Sequence, residues 1–173
     1  MKKVLYIFVG ISLFAGLISL KYFTSIFDRK ETAIVKEESY KFQKDFSDKK
    51  KLSEAVDNIF IGEVMKESGR EPITAHHDTQ FEIRITQNIK GALLGDITVN
   101  QQGGYFKEKG KLYLFHYKGD PMLIQGHMYL FAVSRGEKGT FEMIPKYGHI
   151  GLKTEKKKYQ LIDEFKSATD SKQ

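Results

Sequence analysis

The chain has 173 residues, a formal net charge of +6 and no cysteine. The lack of cysteine excludes a disulfide framework, a thiolate metal site, a thiol nucleophile and lipid attachment through a processed N-terminal cysteine. The positive charge lies in the flanks: residues 29–51 hold eight basic and five acidic residues, whereas residues 52–152 hold eleven basic and twelve acidic residues. Nucleic-acid-binding domains place basic residues on their folded face, so this distribution argues against nucleic acid as a partner.

Residues 1–28 are predicted to form a transmembrane anchor. Residues 4–20 contain no charge, and the apolar stretch resumes after Lys21 and continues to Phe27. A helix needs about 20 residues to cross a hydrocarbon core of about 30 Å. Small residues are missing at the positions expected before a cleavage point, which favours an uncleaved signal-anchor and leaves a removable signal peptide as the alternative.

The short basic N-terminal flank predicts an N-terminus inside the cell and a C-terminal part outside the cytoplasm. Lys21, Arg29 and Lys30 compete with this flank under the positive-inside rule, so the orientation follows from the three-residue flank and the large segment behind the anchor. Residues 29–51 are charged and lack Gly and Pro, which predicts a helical or flexible tether.

The pattern beyond the tether predicts a mainly β domain. A short helix is expected at residues 52–58 and a terminal helix at residues 159–166. Residues 128–133 are apolar on both faces, which is typical of a central strand. Short strands joined by Gly-rich turns indicate a small antiparallel barrel or sandwich, and the predicted strands are residues 59–65, 81–86, 97–100, 111–117, 128–133 and 140–144.

The order of these signals resembles that of a known class of domain. Its sharpest features are Lys90-Gly91 after the second strand and the segment Gly126-His127-Met128-Tyr129-Leu130-Phe131. Residues 52–152 resemble uncharacterised cell-surface domains of Gram-positive bacteria with an OB-fold-like barrel, distantly similar to netrin and TIMP modules. The resemblance implies an OB-like barrel. Beyond it, the sequence pattern itself predicts a basic C-terminal helix and tail at residues 153–173. The resemblance implies no activity. TIMP-type inhibition is not expected, because it requires an N-terminal cysteine and this chain has no cysteine.

A candidate metal site lies in the loop before the second strand. His76, His77 and Asp78 are consecutive residues with nitrogen and oxygen ligands. Adjacent residues bind one ion together only when further ligands arrive from elsewhere, so plain loop histidines are the alternative. No cofactor is predicted.

A candidate binding segment follows the third predicted strand. Its two glycines allow a close approach to a ligand, and the alternative is a β-bulge or strand corner. Aromatic residues nearby provide a stacking face for a glycan or an envelope protein, if that face is exposed. The segment and its aromatic residues are Gly103, Gly104, Tyr105, Tyr113, Phe115 and Tyr117.

We therefore expect a membrane-anchored, extracytoplasmic binding or scaffolding protein of the bacterial cell envelope without catalytic activity. The serines lack a Gly-x-Ser-x-Gly nucleophile elbow. One alternative is an envelope hydrolase or metal-dependent enzyme that uses residues 76–78. A second is a soluble single-strand binder, which requires that residues 1–28 are not an anchor.

Overall fold

The computed structural model describes residues 30–42, 44–71 and 78–170. The predicted anchor, His76 and His77 lie outside these residues. Within them, no helix has both the length and the apolar character that crossing a bilayer requires. The described residues divide into a smaller unit, which contains residues 30–34 and 105–113, and a larger unit, which contains the described residues of 35–104 and 114–170.

The described residues form nine strands and two α-helices. The strands are β1 (Ile34–Glu38), β2 (Asn58–Glu71), β3 (Asp78–Lys90), β4 (Asp96–Gln101), β5 (Gly104–Glu108), β6 (Lys111–Tyr117), β7 (Met128–Arg135), β8 (Phe141–Met143) and β9 (His149–Gly151). The helices are α1 (Lys49–Ala55) and α2 (Glu155–Asp170).

Five strands of the larger unit close into a barrel in the order β2-β3-β4-β8-β7, with β7 pairing back onto β2. The β4–β8 pairing is parallel and the other pairings are antiparallel. Strand β9 pairs with β7 as well, and β1, β6 and β5 form a separate three-stranded sheet in that order. The mainly β prediction is confirmed, and the closed five-stranded barrel is consistent with an OB-like barrel.

Strand β7 is buried on both faces because it separates two apolar clusters. Phe131 and Val133 belong to the barrel interior, whereas Leu130 and Ala132 belong to a second cluster with residues of both helices. All four side chains have 0 % exposure. The central strand predicted from the doubly apolar pattern of residues 128–133 is therefore confirmed.

Helix α1 is held at both ends by polar groups. Its N-cap, Asp48, accepts hydrogen bonds from the backbone N–H groups of Lys50 and Lys51. At the other end, Lys90 Nζ donates to the carbonyl oxygens of Ser53, at 2.6 Å, and Val56. A lysine beside the last carbonyls of a helix complements its dipole, and here it ties α1 to the end of β3.

Helix α2 covers the outer face of the barrel through three buried side chains, Leu161, Ile162 and Phe165. The sequence predicts this apolar face but a shorter helix, residues 159–166. The helix begins earlier because the Thr154 side chain accepts a hydrogen bond from the backbone N–H of Lys157.

The structure differs from the sequence pattern at its flanks. A strand, β1, lies where a helical or flexible tether is expected, and all five of its side chains are exposed. Such a strand shows no apolar alternation, because it is stabilised by backbone pairing and not by burial. Strand β2 continues through Glu67 and Arg70, where the pattern predicts a stop, and its register with β3 shifts at four places.

Candidate binding site

The aromatic residues predicted as a stacking face divide between the two units. In the larger unit, Phe115 and Tyr117 are 5 % and 6 % exposed, with ring centroids 5.2 Å apart. Burial, with smaller contributions from Tyr40 and Glu38, raises the pKa of Tyr117. These two rings therefore belong to the interior and present no face to a ligand.

In the smaller unit, Tyr105 and Tyr113 each contact a neighbour of the same unit. Lys30 Nζ lies 5.0 Å from the centroid of the Tyr105 ring. Tyr113 stacks on Phe106 with a centroid distance of 5.3 Å. Both tyrosines are partly buried.

Gly103 serves as a strand corner. Its φ is +126°, and an added Cβ would lie 2.7 Å from the carbonyl oxygen of Phe115. Its own carbonyl accepts a hydrogen bond of 2.7 Å from Thr79 Oγ1, which is buried. Gly104, also buried and with a φ of 153°, opens β5. The backbone of Gly103 thus approaches another strand, as the strand-corner alternative expects.

Only Asp78 of the predicted metal site lies in the described part of the chain. It is 2 % exposed and pairs with Glu71 at the start of β3. Across residues 30–42, 44–71 and 78–170, no three or more His, Cys, Asp or Glu side chains converge so that they could hold a metal ion. The metal site that includes His76 and His77 stays a prediction.

A groove of about 460 Å³ lies in the larger unit, between the loop that joins β1 to α1 and the segment after β8. Aromatic and basic residues of that loop, here called the aromatic wall, line the groove together with Ala55, Gln102 beside the strand corner, and residues of β8 and the segment after it. The lining residues are Tyr40, Lys41, Phe42, Lys44, Phe46, Ala55, Gln102, Met143, Ile144 and Pro145.

The aromatic wall of this groove is anchored on the barrel side by Tyr147. The Phe42 ring meets Tyr147 edge-on at a centroid distance of 5.0 Å, and the Phe46 ring lies 6.2 Å from it. Tyr40 contacts Phe42 at 4.7 Å and meets buried Tyr117 edge-on at 5.0 Å. Such edge-on and tilted pairs are favourable for aromatic rings. The wall is therefore held in place while Tyr40 stays 39 % exposed.

The groove is basic. Lys41 and Lys44 line it, and two further lysines, Lys51 and Lys146, lie close enough to Asp45 to lower its pKa. The larger cause of that lowering is a pair of hydrogen bonds that the Asp45 carboxylate accepts from the Ser47 hydroxyl, at 2.6 Å, and backbone N–H, at 3.0 Å. No carboxylate of the described residues forms an ion pair with Lys41 or Lys44.

A second polar cluster is buried where the β6–β7 connection begins. Asp120 and His149 lie 3.4 Å apart, and their side chains are 3 % and 7 % exposed. Burial raises the pKa of Asp120 to about 6 and lowers the pKa of His149 to about 4. Asp120 accepts hydrogen bonds from the Gln101 side chain and from the backbone N–H of Lys146, and His149 donates one to the carbonyl of Pro121.

Gln101 completes this cluster and explains why it has a structural role. Its Nε2 donates to the Pro121 carbonyl at 3.0 Å, and its Oε1 accepts from the backbone N–H of Leu123 at 2.9 Å. Gln101 is 1 % exposed. Buried groups that satisfy one another in this way fix the course of a loop and offer no access to a substrate.

Sequence reasoning missed both the groove and the buried cluster. The aromatic residues at 40, 42 and 46 lie within the predicted tether, where their spacing of two and four is the one available signal. Asp120 and His149 are 29 positions apart along the chain, so no local pattern joins them.

The comparisons with known proteins give no assignment for this site. No protein-family model matches the chain, and no curated protein matches it.

Proposed function

We propose that this protein is a single-pass membrane protein of the bacterial cell envelope, anchored by residues 1–28, whose extracytoplasmic part binds a ligand in the groove beside Tyr40. The uncharged residues 4–20 support the anchor. The closed barrel supports a stable folded part without disulfides, because its interior and its outer face each bury an apolar cluster.

The groove is the observation that carries the proposal. A volume of about 460 Å³ lies in the range of small-ligand sites, about 300–1,000 Å³. Its combination of fixed aromatic rings and a few charged groups is also typical of such sites. In contrast, Asp78 and Asp120 are only 2 % and 3 % exposed, so these carboxylates are out of reach of a substrate. Their burial supports a binding role for the protein over a hydrolytic one.

In the proposed arrangement, the short stretch of chain after the anchor keeps this groove close to the bilayer. Tyr40 lies thirteen positions after Phe27, the end of the apolar stretch. Because an extended chain spans at most about 3.5 Å per residue, the groove lies no more than about 45 Å from the membrane surface along the chain. The ligand is therefore a component of the membrane-proximal zone of the envelope or one that passes through it.

Photocrosslinking in living cells tests the proposal. A photoreactive phenylalanine analogue is placed at Tyr40, and in a matched control at Tyr159, which is 60 % exposed on α2. We expect irradiation to give an adduct in the membrane fraction with the analogue at position 40 and none at position 159. Equal adducts at the two positions, or none at position 40, would contradict a specific site in the groove.

A further inference from the structure

The groove combines two surfaces that recognise different parts of one kind of molecule. The rings of Tyr40, Phe42 and Phe46 line the groove and provide apolar area with little conformational freedom to lose. Pyranose rings have apolar C–H faces that lie flat on such rings, and their hydroxyl groups remain in water. A polar ligand can thus bind to an aromatic wall without a deep cavity.

The charge of the groove selects among such ligands. Lys41 and Lys44 line the groove with no acidic partner among the described residues, and the Asp45 carboxylate is occupied by Ser47. An ammonium without a partner attracts an anion, and two of them on one wall attract a ligand with repeated negative charge. Lysine acts here as a point charge, so carboxylate and phosphate groups both fit.

We propose that the groove binds an anionic glycan, with sugar rings on Tyr40 and Phe42 and carboxylate or phosphate groups at Lys41 and Lys44. This inference rests on the proposed function. A folded protein partner would need an interface of about 1,000 Å² or more, whereas the groove volume of about 460 Å³ lies in the range of small-ligand sites. A single-stranded nucleic acid would stack on the same rings, but it is not a component of the membrane-proximal envelope.

Calorimetric titration of the full chain in detergent tests the inference with five probes. Two are anionic glycans, a galacturonate hexamer with carboxylates and a phosphomannan oligosaccharide with phosphates. The others are a neutral mannose hexamer, inorganic polyphosphate and a thymidine oligonucleotide. We expect at least one anionic glycan to bind at least ten-fold more tightly than each of the last three probes, and the tighter one identifies the anionic group.

Matched variants then locate the binding. Lys41→Gln combined with Lys44→Gln should weaken binding of the anionic glycan at least ten-fold and reduce its salt dependence. Tyr40→Ala should weaken it at least five-fold. Lys157→Gln and Tyr159→Ala, which change the same residue types at exposed positions of α2, should leave the affinity within two-fold. Circular dichroism of each variant verifies folding.

Several results would overturn the inference. Equal binding of polyphosphate would mean that charge alone acts, and equal binding of the neutral hexamer would remove the role of the lysines. Equal or tighter binding of the oligonucleotide would favour nucleobase stacking. If no glycan binds while the adduct at position 40 forms in cells, the ligand class is wrong and the binding function stands; if that adduct is absent, the proposed function fails first.

Discussion

The buried pair of Asp120 and His149 predicts opposite pH dependences for two single substitutions. Burial raises the pKa of Asp120 from 3.8 to about 6 and lowers the pKa of His149 from 6.5 to about 4. Between pH 4 and 6, the folded protein holds Asp120 as a neutral acid and His149 as a neutral imidazole. In the unfolded chain over the same range, Asp120 is a carboxylate and His149 an imidazolium. Both states then bind the same number of protons, so the pair leaves the free energy of unfolding nearly independent of pH.

Each substitution removes one half of this balance. In Asp120→Asn only His149 titrates, and since the unfolded chain binds its proton more tightly, the free energy of unfolding rises from pH 4 to 6.5. In His149→Gln only Asp120 titrates, and since the folded state binds that proton more tightly, the free energy falls from pH 3.8 to 6. At about 1.4 kcal/mol per factor of ten in the acid constant, each change amounts to about 3 kcal/mol.

Urea unfolding of the full chain in detergent, followed by circular dichroism, measures these changes. The chain contains no tryptophan, so the signal comes from the backbone. Subtracting the wild-type curve at each pH removes the contribution of the surface carboxylates, and His116, whose charge favours the Asp120 carboxylate, is unchanged in both variants. Difference curves that slope in the same direction, or that are flat for both variants, would refute the reasoning.

Two further predictions concern residues that fix the barrel. Gly103→Ala should lower the free energy of unfolding by about 2 kcal/mol more than the control Gly95→Ala. An added Cβ at Gly103 lies 2.7 Å from a backbone oxygen, whereas Gly95, also at positive φ, has nothing within 4 Å. Equal losses of the two variants in urea unfolding would contradict this prediction, because they would show that the backbone moves to relieve the close approach. Lys90→Met should lower the free energy of unfolding by about 1.5–3 kcal/mol, because the carbonyls of Ser53 and Val56 lose a charged donor. Its control, Lys111→Met at an exposed position, should change the free energy of unfolding by less than about 0.5 kcal/mol. A loss for Lys90→Met no larger than for Lys111→Met would contradict the connection between α1 and β3.

The barrel strands are predictable from the sequence where one face is buried. Apolar and polar residues alternate strictly in residues 81–86, which lie in β3, and in residues 97–100, which lie in β4. The side chains of Phe81, Ile83 and Val99 point into the same apolar cluster. Alternation reports burial, so a strand whose one face is buried leaves a clear trace.

The groove and the buried polar cluster depend on tertiary contacts that leave no such trace. All side chains of strand β1 are exposed, so the sequence contains no hydrophobic pattern from which this strand or the loop after it could be predicted. Phe42 and Phe46 are held in the groove by contacts with Tyr147, which lies about a hundred positions later in the sequence. Of the predicted binding residues, Phe115 and Tyr117 show the same limit, because alternation distinguishes two faces of β6 without saying which one is buried.

Site-directed labelling tests most directly that the groove lies outside the cytoplasm on a membrane-anchored chain. Because the chain has no cysteine, a single Lys44→Cys or Lys3→Cys substitution provides one labelling site each. A membrane-impermeant maleimide should label Lys44→Cys in intact cells, and Lys3→Cys only after the cell membrane is permeabilised. If Lys44→Cys also requires permeabilisation, the groove faces the cytoplasm and the proposed function is wrong.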